Sequence, residues 1–263
     1  MLSADKQLQN ILNDTTSGSS EILLKLNNLI GANISDRRFI RTIIKKVGNN
    51  LSHFTAINMY IKKIDALNKK ANNEPLNLFL IEFDEKITRQ YDIIFKKAEP
   101  LIKDMSTVLT ISNSYTLLQF LKRWQNMNKP LNVIVCESRP MFEGRIFAKA
   151  LLKNKIKVEL ITDVMAGLYM NGVDCVLIGA DSVLLNGNVV NKVGSKTLAV
   201  LCKHFNKPFY VVTTKDKFIK RISFTPPFKN PNEIWNYKDK NLRISNVYFE
   251  VIENKFITKI ISD

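Results

Sequence analysis

The chain has 263 residues, 45% of them hydrophobic and 24% charged, with a formal net charge of +15. That length suits one large domain or a small domain beside a sheet domain, and either can bury a sizeable core. No apolar run reaches the roughly 18 residues that cross a bilayer. No secretion signal is expected either, because MLSADKQLQN has no basic start followed by an apolar core. A cytoplasmic protein without membrane association is therefore expected. The three cysteines, Cys136, Cys175 and Cys202, lack metal-ligand spacing, and an odd total argues against a disulfide framework. They read as buried, inert thiols, and neither a metal site nor a cofactor is expected.

In chain order, residues 1–104 read as a helical domain. Apolar residues recur at helical spacing in three runs: Ile22, Leu23, Leu26, Leu29 and Ile30; Phe39, Ile40, Ile43, Ile44 and Val47; and Ile57, Tyr60, Ile61, Ile64 and Leu67. A turn-rich break at residues 68–75 precedes a longer helix over about 76–97, with Pro100 marking its end or the connection beyond. Paired lysines (Lys45-Lys46, Lys62-Lys63, Lys69-Lys70, Lys96-Lys97) belong to this half. They lack the aromatic interleaving that base stacking needs, so they read as solvated helix faces.

Residues 105–263 change character. TVLTI at 107–111 is a β-branched run, and residues 114–126 are helical in pattern. Strand-like runs follow at 133–136, 158–162, 175–178 and 209–213, separated by helix-length segments. This alternation predicts a Rossmann-like parallel sheet covered on both faces. The fold class is α/β, an N-terminal helical domain followed by a parallel-sheet domain. Polar residues fall directly after the strands: Glu137 and Arg139, then Asp163, Asp181, and Lys215 with Lys217. Open α/β sheets bind ligands beyond the carboxyl ends of their strands.

Asn186-Gly187 between apolar residues signals a hairpin that would return Asn191 and Lys192 toward Asp181. A helix over about 195–205 then begins beside them, and its N-terminal amides would face the pocket. Each residue also has a plainer role. Asp181 could cap a turn, Asn191 and Lys192 could be exposed hairpin residues, and Arg139 and Arg145 could pair with Glu137 or Glu143. His204 reads as a surface helix residue. A proline-rich irregular segment, TPPFKNPNE, precedes a last strand and a short closing element.

Three ordered segments, ESRPMFEGR, GADSVLLNGNVVNKVGS and PFYVVTTKDKF, resemble motifs of one family. It joins the alpha, beta and delta subunits of translation initiation factor 2B with aldose-ketose isomerases acting on methylthioribose-1-phosphate and ribose-1,5-bisphosphate. The resemblance implies an acid/base role for Asp181 and substrate contacts for Asn191, Lys192 and, at a phosphate, Lys217. It places Glu143 where the methylthioribose-phosphate isomerases carry a substrate-binding glutamine. Ligand positions also fall on Gly18, Ser19, Asn113, Ser114 and Arg139.

Other positions depart from the isomerase pattern. The isomerases' threonine-histidine-cysteine-asparagine run is here Thr110, Ile111, Ser112 and Asn113. A thiol can be tuned into a base near neutral pH, whereas an unassisted serine cannot. Ser17 in Thr16 to Ile22 replaces a phosphate-loop arginine, and His53-Phe54 replaces an arginine-proline pair, removing bidentate phosphate recognition. Ser138, Tyr169-Met170 and Lys217-Phe218 lean toward the initiation-factor branch.

The resemblance thus implies a non-catalytic regulatory or scaffold subunit. Its partners would be an initiation factor 2 alpha-subunit-like protein or other family subunits, and it would form a homodimer or larger homo-oligomer through the Rossmann-like domain. A pocket for a nucleotide monophosphate or sugar phosphate would remain. The alternatives are an active isomerase and, from charge alone, an RNA-binding module.

Overall fold

The computed structural model describes residues 2–14, 17–51, 55–127 and 130–263. They divide into two compact units, Met1–Gln90 and Tyr91–Asp263. The first contains helices α1 (Ala4–Leu12), α2 (Ser19–Ala32), α3 (Arg37–Asn50), α4 (Thr55–Asn68) and most of α5 (Glu74–Ile102). The apolar stripes of α2 and α4 are wholly buried in one cluster with Ile40, Ile43 and Val47 of α3, while Phe39 and Ile44 pack at its margin. One buried polar group crosses this core. Asn27 donates to the Leu80 carbonyl and Asp84 and accepts from the Tyr60 hydroxyl, so its amide is not left unpaired.

Helix α5 is longer than its pattern suggests and runs through Pro100. A proline removes one backbone hydrogen bond, and near the last turn that loss is offset by the buried Ala98 and Ile102 on either side. The division between units falls within this helix, so its last turns pack with the sheet. Phe95 meets Phe120 edge-on at 5.5 Å.

The second unit continues with β1 (Thr107–Ile111), α6 (Tyr115–Gln125), β2 (Asn132–Cys136), α7 (Glu143–Lys153), β3 (Lys157–Ile161), α8 (Ala166–Tyr169) and β4 (Cys175–Ile178). It then runs through β5 (Ser182–Val183), β6 (Val189–Lys192), α9 (Ser195–His204), β7 (Phe209–Val212), β8 (Phe249–Ile252) and β9 (Lys259–Ile261). Six strands form a sheet in the order β3-β2-β1-β4-β7-β9, with every pairing parallel. Alternate residues of β1, β2, β4 and β7 are buried alike, as expected of strands covered on both faces. The edge strand β3 is mostly exposed.

Two features differ from the sequence pattern. Only a 3-10 turn (Asp163–Met165) and the one-turn α8 join β3 to β4, so that crossover is shorter than a full helix. The closing segment supplies two strands that go to different sheets. β8 joins the β5–β6 hairpin antiparallel, and β9 extends the parallel sheet beyond β7. No helix among the described residues is long and apolar enough to cross a membrane.

Candidate functional site

The chain builds the sheet outward from β1 through β2 to β3 and then returns to place β4 on β1's other side. This reversal makes the carboxyl ends of β1 and β4 the topological switch point, where such sheets hold ligands. The register pairs Leu109 with Val176, so Ser112 leaves β1 beside Gly179 at the end of β4. The approach is close. A Cβ at Gly179 would lie 2.5 Å from the Ser114 hydroxyl, which caps α6 by accepting from the Leu117 amide. Asn113 lies between these two serines.

Ser112 takes a left-handed backbone, φ 73°, and its amide donates to the Ser138 hydroxyl at 2.7 Å. That hydroxyl in turn donates to the Cys136 carbonyl at 3.0 Å. The buried Ser138 therefore ties the end of β1 to the end of β2. Asp163, at the end of β3, accepts from the amides of Ser138 and Arg139, both at 2.8 Å. Gly144, in the first turn of α7, allows that helix to sit on the strand, since a Cβ there would lie 1.8 Å from the Cys136 carbonyl oxygen.

Beside this scaffold lies a cluster of charge. The hairpin forms around Gly187, φ 79°, and its return strand pairs Val190 with Ser182. Lys192 is only 2% exposed. Its ammonium lies 2.5 Å from one Glu143 carboxylate oxygen and 4.9 Å from the centre of the Tyr248 ring. The other Glu143 oxygen is buried and accepts no hydrogen bond. Asp181 opens to solvent, yet the protein crowding it raises its carboxyl to about 6. Desolvation is the largest cause, the Lys217 and Lys192 ammonium groups pull it down, and Glu143 pushes it up. Structure and electrostatics thus bring together Asp181, Glu143, Lys192 and Lys217.

The amino end of α9 differs from the expected open anion site. Glu250, opposite Asn191 in the β6–β8 register, accepts from the amides of Gly194 at 2.7 Å and Lys196 at 2.8 Å. A carboxylate of the chain itself thus meets the unsatisfied amides of that helix end. The buried Asn191 amide donates to the Ser195 hydroxyl at 2.9 Å. Gly194 has φ 101°, and a Cβ there would come within 2.8 Å of Ile111. Neither Glu250 nor Tyr248 was evident in the sequence, because their contacts depend on a strand pairing more than 50 residues long-range.

The two loop arginines are held by the chain. Arg145 pairs with Glu137 at 2.6 Å and its guanidinium stacks 3.8 Å from the centre of the Phe142 ring. Arg139 also faces Phe142 and donates to the Ile234 carbonyl at 3.2 Å.

In the helical unit, Gly18 is the N-cap of α2 and the buried Ser19 its first residue. Beside them, the Ser17 amide donates to Asp14 at 2.9 Å, and Lys25 reaches the Ser17 hydroxyl, Asp14 and Glu21, each at 2.8 Å. Thr16 and the His53-Phe54 pair lie outside the described residues.

All three cysteines are buried. Burial pushes the Cys136 and Cys202 thiols up to about 12, with Asp163 adding to the shift at Cys136, and raises Cys175 further. Among the described residues no group of three or more histidine, cysteine, aspartate or glutamate side chains is placed to hold a metal ion. Cavities of about 300 and 390 Å³ lie at the opposite, amino ends of the strands. One is bordered by Thr107, Asn132 and Lys157, the other by Pro208 and Thr258. Neither borders the Asp181 cluster.

The sequence profile of the Initiation factor 2 subunit family matches residues 8–263. A methylthioribose-1-phosphate isomerase of Thermotoga petrophila is 35% identical, over 80% of this chain and 69% of that protein. An eIF-2B subunit 2-like protein of Pyrococcus furiosus is 32% identical, over 73% of this chain and 68% of its own. The crystal structure of 5-methylthioribose 1-phosphate isomerase from Pyrococcus horikoshii superposes with a TM-score of 0.79 at 19% identity. It covers 99% of this chain and 83% of that one, a likeness of fold.

Proposed function

We propose, from the premise that this chain belongs to the Initiation factor 2 subunit family, that it is a regulatory or scaffold subunit of the initiation factor 2B kind. It works by protein contact and keeps a polar strand-end pocket without isomerase chemistry. The observation that carries this reading is the absence of a usable thiol at the switch point. Ser112 stands where the family's isomerases place a cysteine, and Cys136, Cys175 and Cys202 are buried with raised pKa values. A serine without an adjacent base does not ionise near neutral pH. Two further arrangements support the reading. Glu143 already neutralises Lys192, and Glu250 occupies amides that an anion would need.

The partners of this reading are an initiation factor 2 alpha-subunit-like protein and other subunits of the family. Self-association runs through the sheet unit, supported by Leu160, Val164 and Leu168, which are exposed at or just after edge strand β3. The pocket's ligand would be a sugar phosphate or nucleotide monophosphate reached by Lys217. Isothermal titration with the alpha subunit of initiation factor 2, and separately with family subunits, tests the role. Saturable binding to one of them is expected, and binding to none would overturn it.

A second reading, an aldose-ketose isomerase of sugar phosphates, is favoured by one specific feature. The Asp181 carboxyl is raised to about 6, which suits a proton-exchanging group near neutrality. The two readings separate on turnover of methylthioribose-1-phosphate and ribose-1,5-bisphosphate.

A further inference from the structure

The proline-rich segment after β7 is the most cationic irregular part of the chain. Between residues 220 and 243 stand six lysines and arginines and only two acids. Its central part closes into a loop. Phe228 and Val247 form a bridge at its neck, the Lys229 amide donates to the Asn246 carbonyl at 2.9 Å, and the buried Asn246 amide donates to the Asn230 carbonyl and to Glu233. Glu233 also accepts from the Tyr248 hydroxyl at 2.6 Å. One of the two acids is therefore turned inward, where it fastens the loop to the strand side. The other, Asp239, accepts from the Asn241 amide and makes a turn.

What this loop turns outward differs in kind. After the Pro231–Glu233 3-10 turn, the rings of Trp235 and Tyr237 stack at 4.6 Å with 14° between their planes, although they are 56% and 51% exposed. Trp235 is held from below by its amide, which donates to the Pro231 carbonyl at 3.3 Å, and its neighbour Ile234 by Arg139. Lys238, Lys240 and Arg243 follow, all exposed. Exposed parallel rings followed within a few residues of chain by three exposed cations match the two halves of a nucleotide. A base of any identity stacks on a ring face, and the phosphates on either side meet ammonium or guanidinium groups. A duplex keeps its base faces covered and cannot use the rings in this way. An acidic peptide would use the cations and leave the ring faces without a partner.

We propose that residues 229–246 form a binding platform for single-stranded nucleic acid. The Trp235–Tyr237 stack receives an unpaired base, and Lys238, Lys240 and Arg243 receive the adjoining phosphates. This goes beyond the regulatory reading and does not depend on it.

The test is fluorescence anisotropy of the full chain with a fluorescein-labelled oligo(U) 12-mer and the matching oligo(dT). Tryptophan emission is followed in parallel, since the chain has two tryptophans and Trp124 is buried. Both strands are expected to bind and to quench Trp235. Removing both rings (Trp235→Ala with Tyr237→Ala) should weaken binding about tenfold or more, and Trp235→Phe, which keeps a stacking face, should stay close to wild type. Lys238→Ala with Lys240→Ala should flatten the dependence of log K on log salt by about 1.4, as two single-strand phosphate contacts are lost. Three results would overturn the proposal: no binding at low salt, unchanged affinity in the ring-deleted variant, or equal quenching and displacement by polyglutamate.

Discussion

The switch point and the loop at 229–246 belong to the same unit and are both rich in charge, but they direct that charge differently. At the switch point the charges face each other: Glu143 meets Lys192, Glu137 meets Arg145, and Glu250 meets the amides of α9. In the loop, Glu233 is turned inward while three cations and two rings face solvent. Charge in the sequence therefore does not by itself mark a site of action. Its meaning depends on whether the fold supplies the counter-charge, as it does for Lys192 and Arg145 at the switch point.

The contrast can be broken most severely at Gly144. A methyl group there meets a strand carbonyl at 1.8 Å, so Gly144→Ala is expected to cost more than about 5 kcal/mol of stability or prevent folding, among the largest single-residue effects. Urea denaturation and far-UV circular dichroism read the outcome. A near-wild-type transition would show that α7 does not need its close seat on β2.

Breaking the buried pair comes next. Lys192→Met leaves the part-buried Glu143 carboxylate without its partner, at an expected cost of up to about 3–5 kcal/mol. Adding Glu143→Gln should recover much of it, because the stranded charge is then gone. If Lys192→Met alone lost less than about 1 kcal/mol, the two charges would not be satisfying each other.

Asp181 gives a smaller effect with a defined sign. Its folded pKa is raised to about 6 from an ordinary value of 3.8, so between these pH values the folded chain binds more protons than the unfolded one. The stability that this group contributes is complete below about 4 and is lost as pH rises through 6. Asp181→Asn should therefore melt above wild type at pH 7, with the gap closing as the pH falls to 4. A gap that widens toward acid would mean that the carboxylate is held ionised by its lysines. The smallest effect is expected at the exposed loop, where Trp235→Ala should move stability by no more than about 0.5 kcal/mol. A larger loss would make the ring stack part of the scaffold.

The same distinction explains how far the sequence could be read. The β1 run and the Cys175–Ile178 strand were legible because a strand buried on both faces is a continuous apolar run, and the hairpin because Asn186-Gly187 supplies its turn. Asp181 and Lys192 were legible as polar residues at strand ends. The partners that decide their behaviour were not. Glu143 reaches Lys192 across 49 residues and Glu250 reaches Gly194 across 56, and no local pattern encodes either meeting. The end of α5 is not legible because Pro100 is a strong local stop signal that its buried neighbours Ala98 and Ile102 override. The outward rings of the loop were hidden because an irregular segment has no period from which a face can be inferred.

The central claim is that this strand-end site keeps the family's polar residues without its proton chemistry. Its most direct test is a turnover assay of the purified chain on methylthioribose-1-phosphate and ribose-1,5-bisphosphate, following ketose formation by NMR. No conversion above a protein-free control is expected. Conversion that disappears in Asp181→Asn would contradict the account and make this chain an isomerase that works without a thiol.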